Sequence, residues 1–224
     1  MKKALTVAIA AVIAAGAIGC ARHQAALPGQ LTLGMVTDVG GLGDRSFNDS
    51  AYRGLVRSKD DLGARIQVLQ SSSAADYQPN LDALTNLRVH MIYAIGFLMS
   101  FDLDQIAKQN PAQRYAIIDA VVDDPNVVSV TFREQDGSFL AGALAAMMSR
   151  THHVAFLGGA NIPLLEKFEA GFSAGAHQID AKTIVDVKYI GNFDDVAAGQ
   201  ELSGLLFNAG ADIVYAAAGK AGLG

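Results

Sequence analysis

Short apolar runs of strand length alternate with segments of helical period from residue 31 to the end of the chain. Eight runs are predicted strands, at residues 31–37, 65–70, 91–95, 115–118, 127–131, 154–157, 184–189 and 213–216. Six segments between them are predicted helices, at residues 47–60, 77–87, 102–108, 137–149, 163–176 and 195–209. Strands joined through helices pair in parallel by right-handed crossovers, so the pattern predicts an α/β fold with helices on both sheet faces.

The number of strands predicted is too large for one small, compact sheet. A chain of 224 residues also suits two small domains. The polar stretch SRTHH at residues 149–153 follows about five strand units and is the natural break. We therefore predict a first α/β lobe over residues 31–150 and a partial second α/β lobe over residues 151–224.

The carboxyl ends of the predicted strands indicate where a ligand would bind, because ligands of open parallel sheets bind beyond these ends. The rule marks the following positions: Asp38, Gly96–Phe97, Asp119, Gly158–Gly159, residues 191–193 and residues 215–219. Two lobes that face each other across their strand ends would form a cleft.

The N-terminus has the pattern of a bacterial secretory signal. Two lysines precede an apolar run at residues 4–18, which is short for a membrane span and is soon followed by polar residues. Small residues lead to Cys20, the one cysteine in the chain, as in a lipoprotein processing site, although Ala17 stands where leucine is usual. We predict a signal peptide at residues 1–20, lipidation of Cys20 and a tether at residues 21–30. The alternative is a plain signal peptide in which Cys20 is incidental.

Composition and spacing exclude several other classes of function. The formal charge of −5 and the absence of a basic stripe argue against a nucleic-acid partner. His152 and His153 are adjacent rather than spaced as metal ligands, and no triad of nucleophile, base and acid is recognisable. We therefore expect no metal, no cofactor and no catalysis.

The glycine-rich stretch VTDVGGLGDRSFN, residues 36–48, follows the first strand and precedes the first helix. Its glycines do not follow the G-x-G-x-x-G spacing of a phosphate-binding turn, and the acids around them would repel phosphate. It does place a carboxylate at a strand end (Asp38), a ring at the helix entrance (Phe47) and an amide (Asn48). This set suits an uncharged, hydrogen-bonding ligand with a flat face.

The same stretch resembles the signature of the basic membrane protein (Med/PnrA-like) family of ABC-transporter substrate-binding lipoproteins. Further matches follow in order: TFREQDGSFLAGAL at residues 131–144, GGANIPLLEKFEAGFSAG at 158–175, YIGNFD at 189–194 and DIVYAAAGKAGLG at 212–224. The resemblance covers everything after the tether.

The resemblance implies a type I periplasmic-binding-protein fold, with two Rossmann-like lobes that close on a purine nucleoside and deliver it to an ABC permease. It implies that Asp38 binds ribose and that Phe47 stacks on the base with Asn48 hydrogen-bonding beside it. Asp119 corresponds to a second family acid, and Tyr215 to the ring of the far lobe. The lipid anchor would hold the protein at the extracytoplasmic face of the membrane.

Each of these roles has a structural alternative. Phe47 would fill the buried face of its helix if it were a core residue, and Asp119 would be a solvated loop residue beside other acids. Tyr215 lies in a strand, where rings are commonly core residues.

Gly219, where a glycine-rich turn begins, is the last of the predicted ligand-binding residues. In the family the chain continues beyond this turn, so the resemblance implies that the sequence is truncated at its C-terminus. We expect an incomplete second lobe and weak ligand binding. Two other functions remain open: a nucleoside- or sugar-processing α/β enzyme, and a surface or signalling lipoprotein of the same fold without transport.

Overall fold

A computed structural model of the protein describes residues 29–224. The predicted signal peptide, Cys20 and most of the predicted tether lie outside the described residues. The first sheet consists of β1 (Thr32–Val36), β2 (Arg65–Leu69), β3 (Met91–Ile95), β4 (Tyr115–Ile118) and β5 (Val127–Val130). All its pairings are parallel, in the order β2-β1-β3-β4-β5.

Three helices cover this sheet, and they are α1 (Phe47–Leu62), α2 (Tyr77–Asn86) and α3 (Ser100–Gln109). Side chains alternate between the two faces of β1, so each face has its own core. Leu33 and Met35 pack with Leu55 of α1. Val36 lies in the other cluster, which includes Leu81 of α2. Burial on both faces explains why the strands read as continuous apolar runs.

The second sheet consists of β6 (His153–Gly158), β7 (Ile184–Tyr189) and β8 (Ile213–Ala217), in the order β7-β6-β8 and again parallel. The helices α5 (Pro163–Ile179) and α6 (Val196–Asn208) alternate with these strands. Phe156 and Phe172 are fully buried on one face of the sheet, and Leu157 and Leu206 on the other. The predicted α/β architecture with two parallel sheets is confirmed, with element bounds within about three residues.

The helix α4 (Glu134–Met148) packs with the second sheet, although the sequence places it before the predicted break. Its Ala145 and Ala146 share one buried cluster with Val154 and Phe156 of β6. The chain thus passes from the first packed unit to the second at residues 131–133, earlier than the boundary predicted at residue 150.

The polar stretch at residues 149–153 is a turn within the second unit rather than a boundary between units. The Ser149 hydroxyl and the Arg150 backbone N–H donate hydrogen bonds to the Asp212 carboxylate, at 2.7 and 2.6 Å. These bonds, with the Arg150 N–H as the largest cause, lower the pKa of Asp212 to about 2. The turn is therefore fastened to the start of β8, which explains its polarity.

The helices α4 and α5 approach each other closely through glycines. A Cβ atom at Gly142 would lie 1.9 Å from the carbonyl oxygen of Phe172, and one at Gly175 would lie 1.9 Å from that of Phe139. The absence of a side chain at both positions lets the two backbones meet. Within residues 29–224, no helix has both the length and the apolar character needed to cross a membrane.

We expect Gly175→Ala to lower the free energy of unfolding by about 3 kcal/mol or more, because the added methyl group meets backbone that no rotamer change can move. Gly137→Ala, on the outer face of α4 with nothing within 4 Å of the added Cβ, is the matched control. It should be neutral or stabilising by less than about 1 kcal/mol. Urea unfolding of both variants tests this, and equal stabilities would contradict the close approach.

Candidate functional site: the cleft between the two sheets

A cleft of about 420 Å³ lies between the carboxyl ends of the two sheets. Its lining includes all six positions that the sequence predicted for ligand binding: Asp38, Phe47, Asn48, Asp119, Tyr215 and Gly219. They come from both lobes and from separate stretches of the chain. The structure thus brings the predicted positions together, while their role in binding stays a prediction.

The loop between β1 and α1 is organised by Asp44, which is 1% exposed. Its carboxylate accepts hydrogen bonds from the backbone N–H groups of Ser46, Asn48 and Asp49, at 2.8–3.0 Å. It therefore occupies the free amides at the start of α1, where a phosphate group would otherwise bind. Gly41 and Gly43 have φ of 62° and 91°, so they supply the left-handed turns that bring Asp44 to this position.

Asn48 is 2% exposed and connects the two acids of the loop. Its Nδ2 donates to Asp38 Oδ1 at 2.7 Å and to Asp44 Oδ2 at 3.2 Å, and its Oδ1 accepts from the Asp38 backbone N–H. Both of its donors are used within the protein, which leaves one acceptor position for a ligand. Asn48 therefore acts mainly by positioning Asp38, a function that the sequence pattern did not indicate.

Asp38 presents one carboxylate oxygen to the cleft. Its Oδ1 accepts from Asn48 and from the Gly40 N–H at 2.9 Å, while no hydrogen bond within residues 29–224 engages Oδ2. Burial raises the pKa of Asp38, and the bond from Asn48 partly opposes that shift. Gly96 is adjacent and has a φ of 110°. A Cβ atom at Gly96 would lie 3.1 Å from Asp38 Oδ2, which leaves little room for a side chain.

Asp119 follows β4 and has a left-handed backbone, with φ of 63°. Its Oδ1 is buried without a hydrogen-bond partner. Burial raises the pKa of Asp119 to about 6, the nearby Glu134 carboxylate adds to the shift, and Lys167 opposes it. Strain and an unsatisfied acceptor at a cleft position are typical of a binding site rather than of a solvated loop.

The rings predicted to hold a flat ligand differ in their surroundings. Phe47 is half-buried against the core beneath α1 and also lines the cleft, while its stacking on a ligand stays a prediction. Tyr215 is chiefly a core residue of the second lobe. Its ring stacks on Phe172, with centroids 5.2 Å apart, and its hydroxyl lies 3.3 Å from the Ser138 hydroxyl.

Phe193 is another ring of the second lobe that lines the cleft. It lies on Gly159, where a Cβ atom would come within 2.2 Å of the ring, and its carbonyl accepts from the Ala221 N–H at 3.0 Å. Gly219, with φ of 54°, passes close to the same carbonyl. Phe193 was among the strand-end positions marked in the sequence, but no sequence feature favoured it over Tyr215 as the ring of the far lobe.

Two further lining residues had no signal in the sequence. Phe168 lies on α5, where an aromatic residue at helical spacing reads as core. Lys220 follows the last predicted binding position by one residue and places a cation at the edge of an otherwise acidic cleft.

The architecture and the interlobe cleft define a protein of the type I periplasmic-binding-protein fold class. A solved structure of an ABC transporter solute-binding protein from Aeropyrum pernix superposes on 86% of the chain with a TM-score of 0.80 and 29% sequence identity, over 56% of that protein. A family model for PnrA-like ABC transporter substrate-binding proteins matches residues 31–224. The chain therefore belongs to the Bmp family of PnrA-like substrate-binding proteins.

Curated relatives support the same membership. A Listeria monocytogenes protein named CD4+ T-cell-stimulating antigen is 37% identical over 86% of the chain. The ABC transporter nucleoside-binding protein BmpA of Lactococcus lactis is 34% identical over 100% of the chain and 67% of its own length. The chain spans 56% of the length of the Listeria relative.

The raised pKa of Asp119 predicts a pH-dependent stability. An acid whose pKa is raised on folding stabilises the folded state below its unfolded value near 3.8, and this contribution is lost as the pH rises through about 6. We expect Asp119→Asn to raise the free energy of unfolding at pH 7.5 by about 1 kcal/mol, after allowance for the partial exposure of the group.

Urea unfolding at pH 4 and pH 7.5 measures this effect. Asparagine also tolerates a left-handed backbone, but that benefit is independent of pH, so the difference between the two pH values isolates the charge. Asp123→Asn, in the exposed loop nearby, is the control. A benefit of Asp119→Asn that is the same at both pH values would contradict the prediction.

Proposed function

We propose that this protein is the purine-nucleoside-binding component of an ABC importer. The observation that carries the proposal is one cleft lined by rings from both lobes and by carboxylates that have free acceptors. Two aromatic faces suit the flat base of a nucleoside, and carboxylate oxygens suit the neighbouring hydroxyls of its ribose. The name of the Lactococcus relative agrees with this class of ligand.

The electrostatics of the cleft favour nucleosides over nucleotides. Asp38, Asp44 and Asp119 line it together, and Asp44 already occupies the amides at the start of α1. A phosphate ester would meet like charges there and would find the Asn48 and Asp49 amides of α1 already occupied. Lys220 is one cation against these acids, so an uncharged ligand is the better match.

The proposed mechanism is binding without chemistry. The ligand contacts both lobes, stabilises the closed arrangement through those contacts, and the closed protein is recognised by the permease. In residues 29–224 no histidine lines the cleft, and its carboxyls at Asp38 and Asp119 are proposed to accept hydrogen bonds from the ligand. The enzyme and signalling alternatives have no specific observation in their favour.

The proposed location is the extracytoplasmic face of the membrane, through a lipid on Cys20. The predicted signal pattern at residues 1–20 supports this, and a Pyrococcus furiosus relative that is 33% identical over the full chain is described as a lipoprotein. A tethered binding protein remains near its permease and captures ligand from the surrounding medium.

Saturation-transfer NMR on the 224-residue chain tests the ligand class, because it detects weak as well as tight binding. We expect adenosine, guanosine and inosine to give protein-dependent signals, and uridine, ribose and adenosine monophosphate to give much weaker ones. Phe47→Ala should weaken binding by about tenfold or more, since stacking of a base on a ring contributes about 1–3 kcal/mol.

Phe101→Ala is the matched control, because this first-lobe phenylalanine is 73% exposed and lies outside the cleft. Equal signals from ribose or uridine and the purine nucleosides would overturn the proposed ligand. The appearance of free base or another product in the same spectra would favour the enzyme alternative instead.

The lipid anchor is tested by metabolic labelling with an alkyne fatty acid in a bacterial host. We expect the wild-type chain to be labelled and to sediment with membranes, and Cys20→Ser to lose both properties. Ala17→Leu, which restores the usual residue of the processing site, should increase the labelled fraction. Retention of label in Cys20→Ser would contradict lipidation at this residue.

A further inference from the structure

One pair of rings makes direct aromatic contact between the two lobes. In the part of the chain that the structure describes, no hydrogen bond and no ion pair joins residues 29–131 to residues 134–224. The strand pairings also stay within each sheet. Phe97, after β3, and Phe193, after β7, are the aromatic pair that crosses, with centroids 5.8 Å apart and an edge-to-face angle of 72°.

Both rings are held in place by their own lobe. Phe97 follows Gly96, whose left-handed backbone turns the chain at the end of β3. The Phe193 ring rests on Gly159, and the carbonyl of Phe193 is fixed by the Ala221 N–H. Asn192 stabilises the same loop, because its side-chain oxygen accepts from the backbone N–H groups of the two residues that follow Phe193. The contact therefore joins two ordered supports rather than two mobile loops.

The charges that face each other between the lobes mostly oppose this attraction. Asp194, beside Phe193, is close enough to Asp38 to raise the pKa of that carboxyl. Near residues 131–133, where the chain passes between the lobes, the Glu134 carboxylate repels the Asp119 carboxylate, and the Lys167 ammonium attracts it. Where few direct contacts hold two lobes together, the loss of one contact can shift the equilibrium between closed and open arrangements.

We propose that the Phe97–Phe193 pair is an interlobe latch that sets the equilibrium between the closed and open cleft independently of any ligand. An edge-to-face pair contributes modestly, so loss of either ring should change the ratio of closed to open molecules by about twofold to tenfold. Any ligand that requires the closed cleft then loses apparent affinity in proportion to the closed fraction. Phe193 thus acts by positioning the second lobe. The latch does not depend on which ligand the cleft binds.

Double electron–electron resonance on ligand-free protein tests the latch. Spin labels are attached through Lys59→Cys on α1 and Glu201→Cys on α6, both exposed, in a Cys20→Ser background that removes the native thiol. We expect one dominant distance in this parent protein. Phe193→Ala and Phe97→Ala should each increase the population at other distances, and the double variant should add little, because either change already breaks the pair.

Phe207→Ala makes the same chemical change on an exposed residue of α6 and should leave the distances unchanged. Phe193→Leu keeps a large apolar side chain over Gly159, so an effect of this variant cannot be attributed to local unfolding. It should shift the distances in the same direction with an unaltered melting temperature. Asp194→Asn, which removes a charge that repels Asp38, should narrow the distribution of distances between the spin labels.

Distances in folded Phe193→Leu and Phe97→Ala that match the parent protein would overturn the latch. Additive effects in the double variant would do the same, since they would mean that the two rings act separately. Because no ligand is present in this experiment, its outcome is independent of whether the cleft binds nucleosides.

Discussion

The candidate site depends on the buried carboxylate of Asp44. This one group stabilises the start of α1 by accepting three backbone N–H groups and also fixes the Asn48 amide, which in turn orients Asp38. A side-chain cap of this kind contributes about 1 kcal/mol to a helix. Here it has a second effect, because an acid at the helix entrance occupies amides that could otherwise bind an anion. The glycines of the loop serve this arrangement rather than a phosphate group.

Fold class and element bounds were predictable because the alternation of apolar runs and helical segments reflects burial on both sheet faces. The carboxyl-end rule placed Asp38, Asp119, Phe97 and Phe193 in one region for the same reason. The extent of the lobes was not predictable in this way. α4 packs on the second sheet through glycine contacts with α5, and the polar stretch that read as a boundary is a turn fastened to Asp212.

Side-chain roles within the cleft were harder to predict than its location. Tyr215 stacks on Phe172 in the core, whereas Phe193 packs against Gly159 and Gly219, which are distant in sequence. No local sequence pattern distinguishes these two situations. Asn48 was predicted to contact ligand because its type suits hydrogen bonding. Its two neighbouring acids use both of its donors, and that outcome depends on a three-dimensional arrangement of residues 38, 44 and 48.

The absence of a side chain at Gly159 has a consequence for how the affinity of this protein can evolve. The Phe193 ring occupies the space that a Cβ atom would need, so any larger residue at position 159 would displace the ring. Under the proposed latch, position 159 would therefore be a steric adjustment point for lobe closure. Under the same proposal, substitutions there would change how strongly a ligand is retained.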